Sequence, residues 1–285
     1  MTQANTSATK AAGRDLPAAI VVGVALVVVA AVGLLYLPWF FVAFMTLAFA
    51  LGAHEVHVAL QRLGMHSSIK VIITGTVVSV IGGYLAALQG LPIERTTLIV
   101  TCLVATLIAA LVARLAKGPE GFVLDSAASA LIIAYIPLPG VFISLLMGET
   151  QGNLRIVAII ACVVFADVGA YAVGSLLGRH KLAPRISPGK TWEGLIGGVA
   201  LAGVAGLLSS LWFLAVDWWV GLILGVTTAL AATLGDLVES LIKRNTGLKD
   251  MSNLLPGHGG VMDRLDSMIM AFPVGWFVLF LAMGT

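Results

Sequence analysis

The sequence predicts an all-α protein, a polytopic transmembrane helical bundle of about nine helices. Of its 285 residues, 59% are hydrophobic and only 11% are charged, whereas a soluble domain carries about 25% charged residues. The apolar residues come in blocks long enough to cross a bilayer, which takes about 20 residues as a helix. Unpaired backbone groups are costly in lipid, and no segment alternates as a barrel strand would, so these blocks are expected to be helices.

Nine apolar blocks are separated by polar connections, and each is interpreted as one span. The polar stretch 1–15 is followed by a block of full length without a small-residue cleavage site, so no cleavable signal peptide is expected. The fifth block should be kinked or broken, because Pro137 and Pro139 cannot continue a regular helix. The predicted spans are 18–37, 39–60, 70–89, 96–115, 122–147, 155–178, 192–214, 218–242 and 264–284.

The basic residues predict the orientation of the bundle. With nine spans, all but two of the 16 lysines and arginines fall on the side of the N-terminus, the exceptions being Arg95 and Arg155. Because positive charge stays in the cytoplasm, we expect a cytoplasmic N-terminus and an external C-terminus in the cell inner membrane. The net charge of +2 is too small to indicate a nucleic-acid partner, and Cys102 and Cys162, inside apolar blocks, are interpreted as core residues.

The polar residues near the end of the eighth span share one helix face. Asp236, Glu239, Ser240 and Lys243 are spaced i, i+3, i+4 and i+7. Each charge near a helix centre costs about 2.5–3.5 kcal/mol on insertion scales, so this stripe is expected to face a hydrated cavity. The alternative is a helix end with snorkelling cations, which would explain Lys243 and Arg244 but not the carboxylates.

The loop that follows supplies complementary groups. The segment 256–260 (PGHGG) cannot continue a helix and is expected to leave backbone amides free for a ligand. Magnesium typically takes one or two carboxylate oxygens from protein and the rest from phosphate and water. Four cations beside four acids suit a metal–triphosphate complex, and a neutralised salt-bridge cluster would have the same composition: Lys243, Arg244, Lys249 and Arg264 with Asp236, Asp250, Asp263 and Asp266.

The same segment resembles a family signature. Its parts are Ser240-x-Ile242-Lys243-Arg244, Lys249-Asp250, Pro256-x-His258-Gly259-Gly260 and Asp263-Arg264-x-Asp266. This run resembles the signature of the phosphatidate cytidylyltransferase (CDP-diglyceride synthetase) family. Asp167 with Tyr171, and the block 187–194 (SPGKTWEG), resemble two further blocks of that family, whereas the first five spans match only as hydrophobic segments.

The resemblance implies an enzyme that transfers CMP from CTP to phosphatidic acid, giving CDP-diacylglycerol and pyrophosphate. It implies dependence on magnesium, with a potassium ion alongside it. The chain then divides into a polar cytoplasmic tail (1–15), the N-terminal spans one to five (16–153) and a C-terminal membrane catalytic region (154–285).

Matching positions give the metal-centre carboxylates as Asp236 and Asp263, to which we add Asp266 and Glu239 as secondary ligands. The cations expected to hold the triphosphate and the leaving pyrophosphate are Lys243, Arg244, Lys249 and Arg264. Of these two groups, the residues expected to carry catalysis are Asp236, Asp263, Lys243 and Arg264.

Further substrate contacts are expected from the upstream blocks. Lys190 is a candidate phosphate ligand, and Ser187 and Thr191 could donate hydrogen bonds beside it. Asp167 is a candidate because intramembrane carboxylates are usually functional, although it could instead be a structural partner of Tyr171 or Lys190. His258 could act on substrate or shape its glycine-rich loop.

Several alternatives stay open at this point. A CTP-dependent lipid kinase of the dolichol- or phytol-kinase type would transfer the γ-phosphate and release CDP. A transporter or channel would also contain intramembrane acids, but would usually show repeats or paired broken helices. His54, Glu55 and His57 fit an interface or a substrate contact equally well, and glycines such as those at 194–198 could pack within one chain or in a homodimer.

Overall fold

The computed structural model describes residues 16–89 and 93–283, with side chains from Ile20 onward. It confirms the all-α, polytopic prediction. Within the described ranges, eight helical segments are long and apolar enough to cross a membrane, and the segment Ile20–Tyr36 is a shorter apolar helix. The stretch 1–15, predicted to be a polar tail, lies outside the described residues.

The helices follow the predicted spans to within about four residues at each end. A short 3₁₀ turn, Leu115–Lys117, continues the fourth helix. The helices are α1 (Leu16–Tyr36), α2 (Pro38–Gln61), α3 (Ile69–Gln89), α4 (Arg95–Arg114), α5 (Phe122–Tyr135), α6 (Pro137–Gly140), α7 (Phe142–Met147), α8 (Gly152–Leu177), α9 (Trp192–Trp212), α10 (Trp218–Thr246) and α11 (Met262–Met283).

The fifth span is broken where its prolines predict. Helix α5 ends at Tyr135, and Pro137 opens the four-residue helix α6, a position where the missing proline N–H costs nothing. The break places the Tyr135 hydroxyl 3.5 Å from the carbonyl oxygen of Gly235 in α10. The N-terminal half of the chain therefore reaches the polar end of α10.

A two-stranded antiparallel hairpin, which the sequence did not predict, lies between α8 and α9. Strand β1 (Lys181–Ala183) pairs with strand β2 (Ser187–Thr191), with Lys181 opposite Thr191. Its strands have three and five residues, too short for an alternating pattern to identify. Thr191 ends the hairpin and caps α9, because its hydroxyl oxygen accepts a 3.1 Å hydrogen bond from the Gly194 amide.

Glycines allow α8 and α9 to pack at backbone distance. A Cβ added to Gly198 would lie 2.7 Å from the carbonyl oxygen of Ala166, and one added to Gly197 would lie 3.0 Å from that of Gly169. Close approach through small residues is how membrane helices associate. Gly194 likewise faces α8, so these glycines pack within one chain, which decides between the two arrangements left open for them.

We predict that Gly169→Ala destabilises the protein by about 2 kcal/mol, the cost typical of overpacking. The new Cβ would lie 2.6 Å from the Gly197 carbonyl oxygen, a backbone atom that cannot rotate away. Thermal unfolding in detergent measures the effect. Gly82→Ala is the matched control, because its Cβ would meet only Leu98 at 3.9 Å. Equal unfolding temperatures for the two variants would contradict this packing.

Candidate active site

The last turns of α10 carry the predicted polar stripe, and its shared face is confirmed. The Ser240 hydroxyl donates a 3.2 Å hydrogen bond to Asp236, and the Lys243 ammonium donates one of 2.5 Å to Glu239. The stripe is only partly hydrated. Asp236 is part-exposed at 30% of its side chain, whereas the Glu239 side chain is completely buried.

Lys243 joins α10 to the start of α11. Besides Glu239, its ammonium group contacts Asp263 Oδ1 at 2.8 Å. The other oxygen of Asp263 accepts hydrogen bonds from the amides of Met251 (2.8 Å) and Gly260 (2.7 Å). One carboxylate in the first turn of α11 therefore binds the lysine of α10 and both ends of the segment 251–260, which contains the glycine-rich loop.

Three amides of this loop are occupied, so the prediction that they are free for a ligand is wrong for His258, Gly259 and Gly260. The His258 and Gly259 amides donate to the Leu255 carbonyl oxygen, and the Gly260 amide donates to Asp263. Glycine is needed in this loop for its backbone conformation and for close packing. Gly259 has a φ of +86°, and a Cβ there would lie 2.9 Å from Asp263 Oδ2. Only glycine accepts this conformation at such close approach without strain.

Glu55 in α2 contacts the start of α11 and the segment before it, which the sequence analysis did not predict. Its buried carboxylate accepts hydrogen bonds from the Ser252 hydroxyl (2.6 Å) and from the amides of Val261 (2.9 Å) and Met262 (2.7 Å). Amides at a helix start lack intrahelical partners, and negative charge is favourable there. The only indication of this contact in the sequence was a carboxylate inside an apolar span. The nearby His57 does not share these partners, because its Nδ1 is hydrogen-bonded to the Ser67 hydroxyl at 2.7 Å.

The hairpin docks on α10 through two cations. Lys190 forms an ion pair with Asp236 at 2.5 Å, and the Arg244 guanidinium donates a 3.1 Å hydrogen bond to the Ile186 carbonyl oxygen. Glu193, at the start of α9, accepts hydrogen bonds from His180 on the other side of the hairpin, including one of 2.6 Å from its ring. The block 187–194 therefore lies at the same end of α10 as the signature that begins at Ser240.

A cavity of about 460 Å³ lies between α8, the hairpin, α9 and α10. Its polar lining comes from both blocks: Asp167, Tyr171, Ser187, Lys190, Thr191 and Asp236. Asp167, Lys190 and Asp236 all line this one cavity. The structure thus brings the upstream candidates together around one cavity, although the Thr191 oxygen is also used to cap α9.

The remaining predicted cations are exposed beside this site. Arg244, Lys249 and Arg264 have no carboxylate within ion-pair distance among the residues that the structure describes. Arg264 donates a 2.9 Å hydrogen bond to the His258 carbonyl oxygen. The ring of His258 lies against α1, where a Cβ added to Gly23 would be 2.9 Å from Nε2.

Four carboxylates are available for a metal ion. Asp236 and Asp263 pair with different lysines, and Asp266 lies one turn after Asp263 in α11. Among the residues that the structure describes, the buried Glu239 Oε1 has no partner within hydrogen-bonding distance and angle. Over residues 16–89 and 93–283, no three acidic, histidine or cysteine side chains form a metal centre. One or two carboxylate oxygens suffice for magnesium, so these donors fit it, and the four metal assignments stay a prediction.

A separate buried ion pair lies at the ends of α4 and α5. The Arg114 guanidinium donates to Asp125 at 2.7 Å, and the His66 amide donates to the same carboxylate at 2.6 Å. Both charged side chains are more than nine-tenths buried. Their hydrogen-bond partners in the described part of the chain all lie between residues 66 and 125, so this pair links the N-terminal helices.

Comparison with known proteins gives a consistent answer. Residues 17–282 match the Cytidylyltransferase family. The chain is 35% identical to the phosphatidate cytidylyltransferase of Mycobacterium leprae, covering 96% of this chain and 91% of that protein. It is also 35% identical to the phosphatidate cytidylyltransferase of Mycobacterium bovis, over 95% and 90% of the two chains. The enzyme of that name from Brucella suis is 44% identical over 48% of this chain and 51% of its own length.

We predict that Lys243→Met destabilises the protein by about 3 kcal/mol, the lower end for a buried ion pair that loses one partner. Glu239 and Asp263 would lose the ammonium group between them, and a buried carboxyl without its cationic partner is costly. The measurement is thermal unfolding in detergent without nucleotide. Lys249→Met removes an exposed lysine and should change stability by less than about 0.5 kcal/mol; similar losses in both variants would contradict the bridging role.

Proposed function

The chain belongs to the cytidylyltransferase family, and we propose that its cluster of carboxylates and lysines carries out the family's reaction with a magnesium ion. The protein makes CDP-diacylglycerol from phosphatidate and CTP, in keeping with relatives that match most of its length. The observation that carries the site assignment is the convergence of Lys190, Asp236, Lys243 and Asp263 at one end of α10, beside a cavity.

The main difficulty of this reaction is charge. An oxygen of the phosphatidate phosphate attacks the α-phosphorus of CTP, and the bond from that phosphorus to the pyrophosphate oxygen breaks. Both reactants are anions, so catalysis depends mostly on positioning and electrostatic stabilisation. Because a phosphate monoester is already anionic near neutral pH, no general base is required.

The exposed cations are suited to the triphosphate. Arg244, Lys249 and Arg264 lie on the loop side of the cluster, free of ion pairs in the described part of the chain. We assign them to the phosphates of CTP and to the pyrophosphate that leaves. Lys190 and Lys243 stabilise the charge nearest the carboxylates, and Ser187, Thr191 and His258 are assigned to substrate contacts at the cavity and loop.

Asp236 and Asp263 would hold magnesium, with Asp266 and Glu239 as further ligands. When bound, the ion would neutralise charge on the phosphates. A potassium ion alongside it is part of the same proposal. The support is the set of hard oxygen donors and the unpartnered oxygen of Glu239.

We place this site at the cytoplasmic face of the inner membrane. Glu55, Asp236 and Asp263 all contribute to one end of the bundle, the end where the basic residues are concentrated. The ion pair between Arg95, at the start of α4, and Glu149, in the turn between α7 and α8, lies at the opposite end of the bundle. Positive charge on the cytoplasmic side supports this orientation. A homodimer stays a proposal that the within-chain packing of the glycines does not require.

We predict that the purified protein in detergent, with CTP, magnesium and phosphatidate, releases pyrophosphate and moves label from [α-³²P]CTP into the lipid phase. ATP should not replace CTP. Release of CDP together with transfer of the γ-phosphate of CTP to the lipid would instead indicate a lipid kinase. Ion flux in liposomes without any labelled lipid would favour a transporter, and either result would contradict the proposed function.

We predict that Asp263→Asn reduces the turnover number at least a hundredfold while the protein still inserts and purifies. The amide removes the negative charge opposite Lys243 and weakens binding of magnesium. Initial rates over a magnesium titration are the measurement, and chelation with EDTA should abolish wild-type activity. Asp217→Asn, at the opposite end of α10, is the control. Wild-type rates for Asp263→Asn would remove the metal assignment.

A further inference from the structure

Two carboxylates from different helices bind the same short segment of chain. Asp263 in α11 accepts the amides of Met251 and Gly260. Glu55 in α2 accepts hydrogen bonds from the Ser252 hydroxyl, next to Met251, and from the amides of Val261 and Met262, next to Gly260. The contacts therefore interleave, and each end of the segment 251–262 is held by both helices.

The fit around Glu55 leaves no spare room. A Cβ added to Gly260 would lie 2.7 Å from Glu55 Oε2 and 2.8 Å from Oε1. The carboxylate is 5% exposed, and all three of its donors belong to the segment 251–262. A buried carboxylate that is fully hydrogen-bonded to one segment fixes the position of that segment strongly.

The held segment leads directly into the candidate active site. Met262, whose amide binds Glu55, is followed by Asp263 and Arg264 in the first turn of α11. A shift of this turn would move Asp263 relative to Lys243, and would move Arg264 relative to the phosphates assigned to it. Displacements of about 1 Å can cost a hundredfold in rate.

We propose that Glu55 is a positioning residue for the transfer reaction, which sets the first turn of α11 against α10 from the N-terminal half of the chain. This inference rests on the proposed function. It gives α2 a defined part in the enzyme.

The primary variant is Glu55→Gln in the full-length protein in detergent. Glutamine keeps the shape, but its NH₂ group would face one of the three donors and lose at least one hydrogen bond. We expect the turnover number to fall at least tenfold and the KM for CTP to rise severalfold. Hydrogen–deuterium exchange over residues 251–262, measured without substrate, should become faster.

Asp125→Asn is the matched control. Asp125 is also a buried carboxylate, and it accepts hydrogen bonds from the His66 amide and the Arg114 guanidinium in the N-terminal helices. It should lower the unfolding temperature, yet leave the KM for CTP, the turnover number and exchange over 251–262 within about twofold of wild type. A merely stabilising role for Glu55 would make the two variants behave alike.

Two further variants cover the case in which Glu55→Gln does not fold. Ser252→Ala removes one hydrogen bond from Glu55 and should lower the turnover number two- to fivefold. Gly260→Ala should be more damaging, because its Cβ collides with the Glu55 oxygens. Combined with Glu55→Ala, which makes room for that Cβ, Gly260→Ala should cost much less than it does alone.

The proposal is overturned if Glu55→Gln keeps wild-type kinetics and exchange, or if Asp125→Asn reproduces its full effect. It is also overturned if Ser252→Ala and Gly260→Ala both leave the turnover number unchanged. Wild-type protein that makes no CDP-diacylglycerol would instead contradict the proposed function. The exchange measurement needs no substrate, so it would still test whether Glu55 holds the segment 251–262.

Discussion

The site depends on neutralising several carboxylates at the end of a membrane helix. Lys243 lies between Glu239 and Asp263, and Lys190 pairs with Asp236. Buried charges of one sign would not be stable together, whereas paired and hydrogen-bonded charges can be. The Lys190–Asp236 pair joins the hairpin to α10, and the Lys243–Asp263 pair joins α10 to α11. The ion pairs that stabilise the cluster therefore also hold these elements together.

Around this cluster, the N-terminal helices act as more than a lipid-facing scaffold. Glu55 of α2 holds the start of α11, and Tyr135 reaches α10 from the point where prolines interrupt the fifth span. By contrast, the ion pair of Arg114 with Asp125 links α4 and α5 and also binds the His66 amide between α2 and α3. The α8–α10 core carries the cavity, while the earlier helices fix the geometry of the loop that completes it.

Local patterns predicted much of this arrangement. Hydropathy gave the spans, Pro137 gave the break in the fifth, and the 3.6-residue period gave the shared face of α10. What the sequence could not give are pairings across long separations: Glu55 with Val261, which are 206 residues apart, and Lys190 with Asp236. Such contacts depend on how helices pack, which no window of residues encodes. The amides of His258, Gly259 and Gly260 were misjudged because their acceptors, the Leu255 carbonyl oxygen and Asp263, depend on how the loop folds back on itself and on α11.

The pairing of Lys190 with Asp236 has a consequence for how ligands arrive. In the structure each group is already paired with the other. Under the proposed assignment, a nucleotide alone would compete with Asp236 for the lysine, and a cation alone would compete with Lys190 for the acid. If both bound, each would take one member of the separated pair, and thermodynamic linkage would require them to strengthen one another's affinity by the same factor. The proposed assignment therefore implies cooperative uptake of nucleotide and cation through this salt bridge.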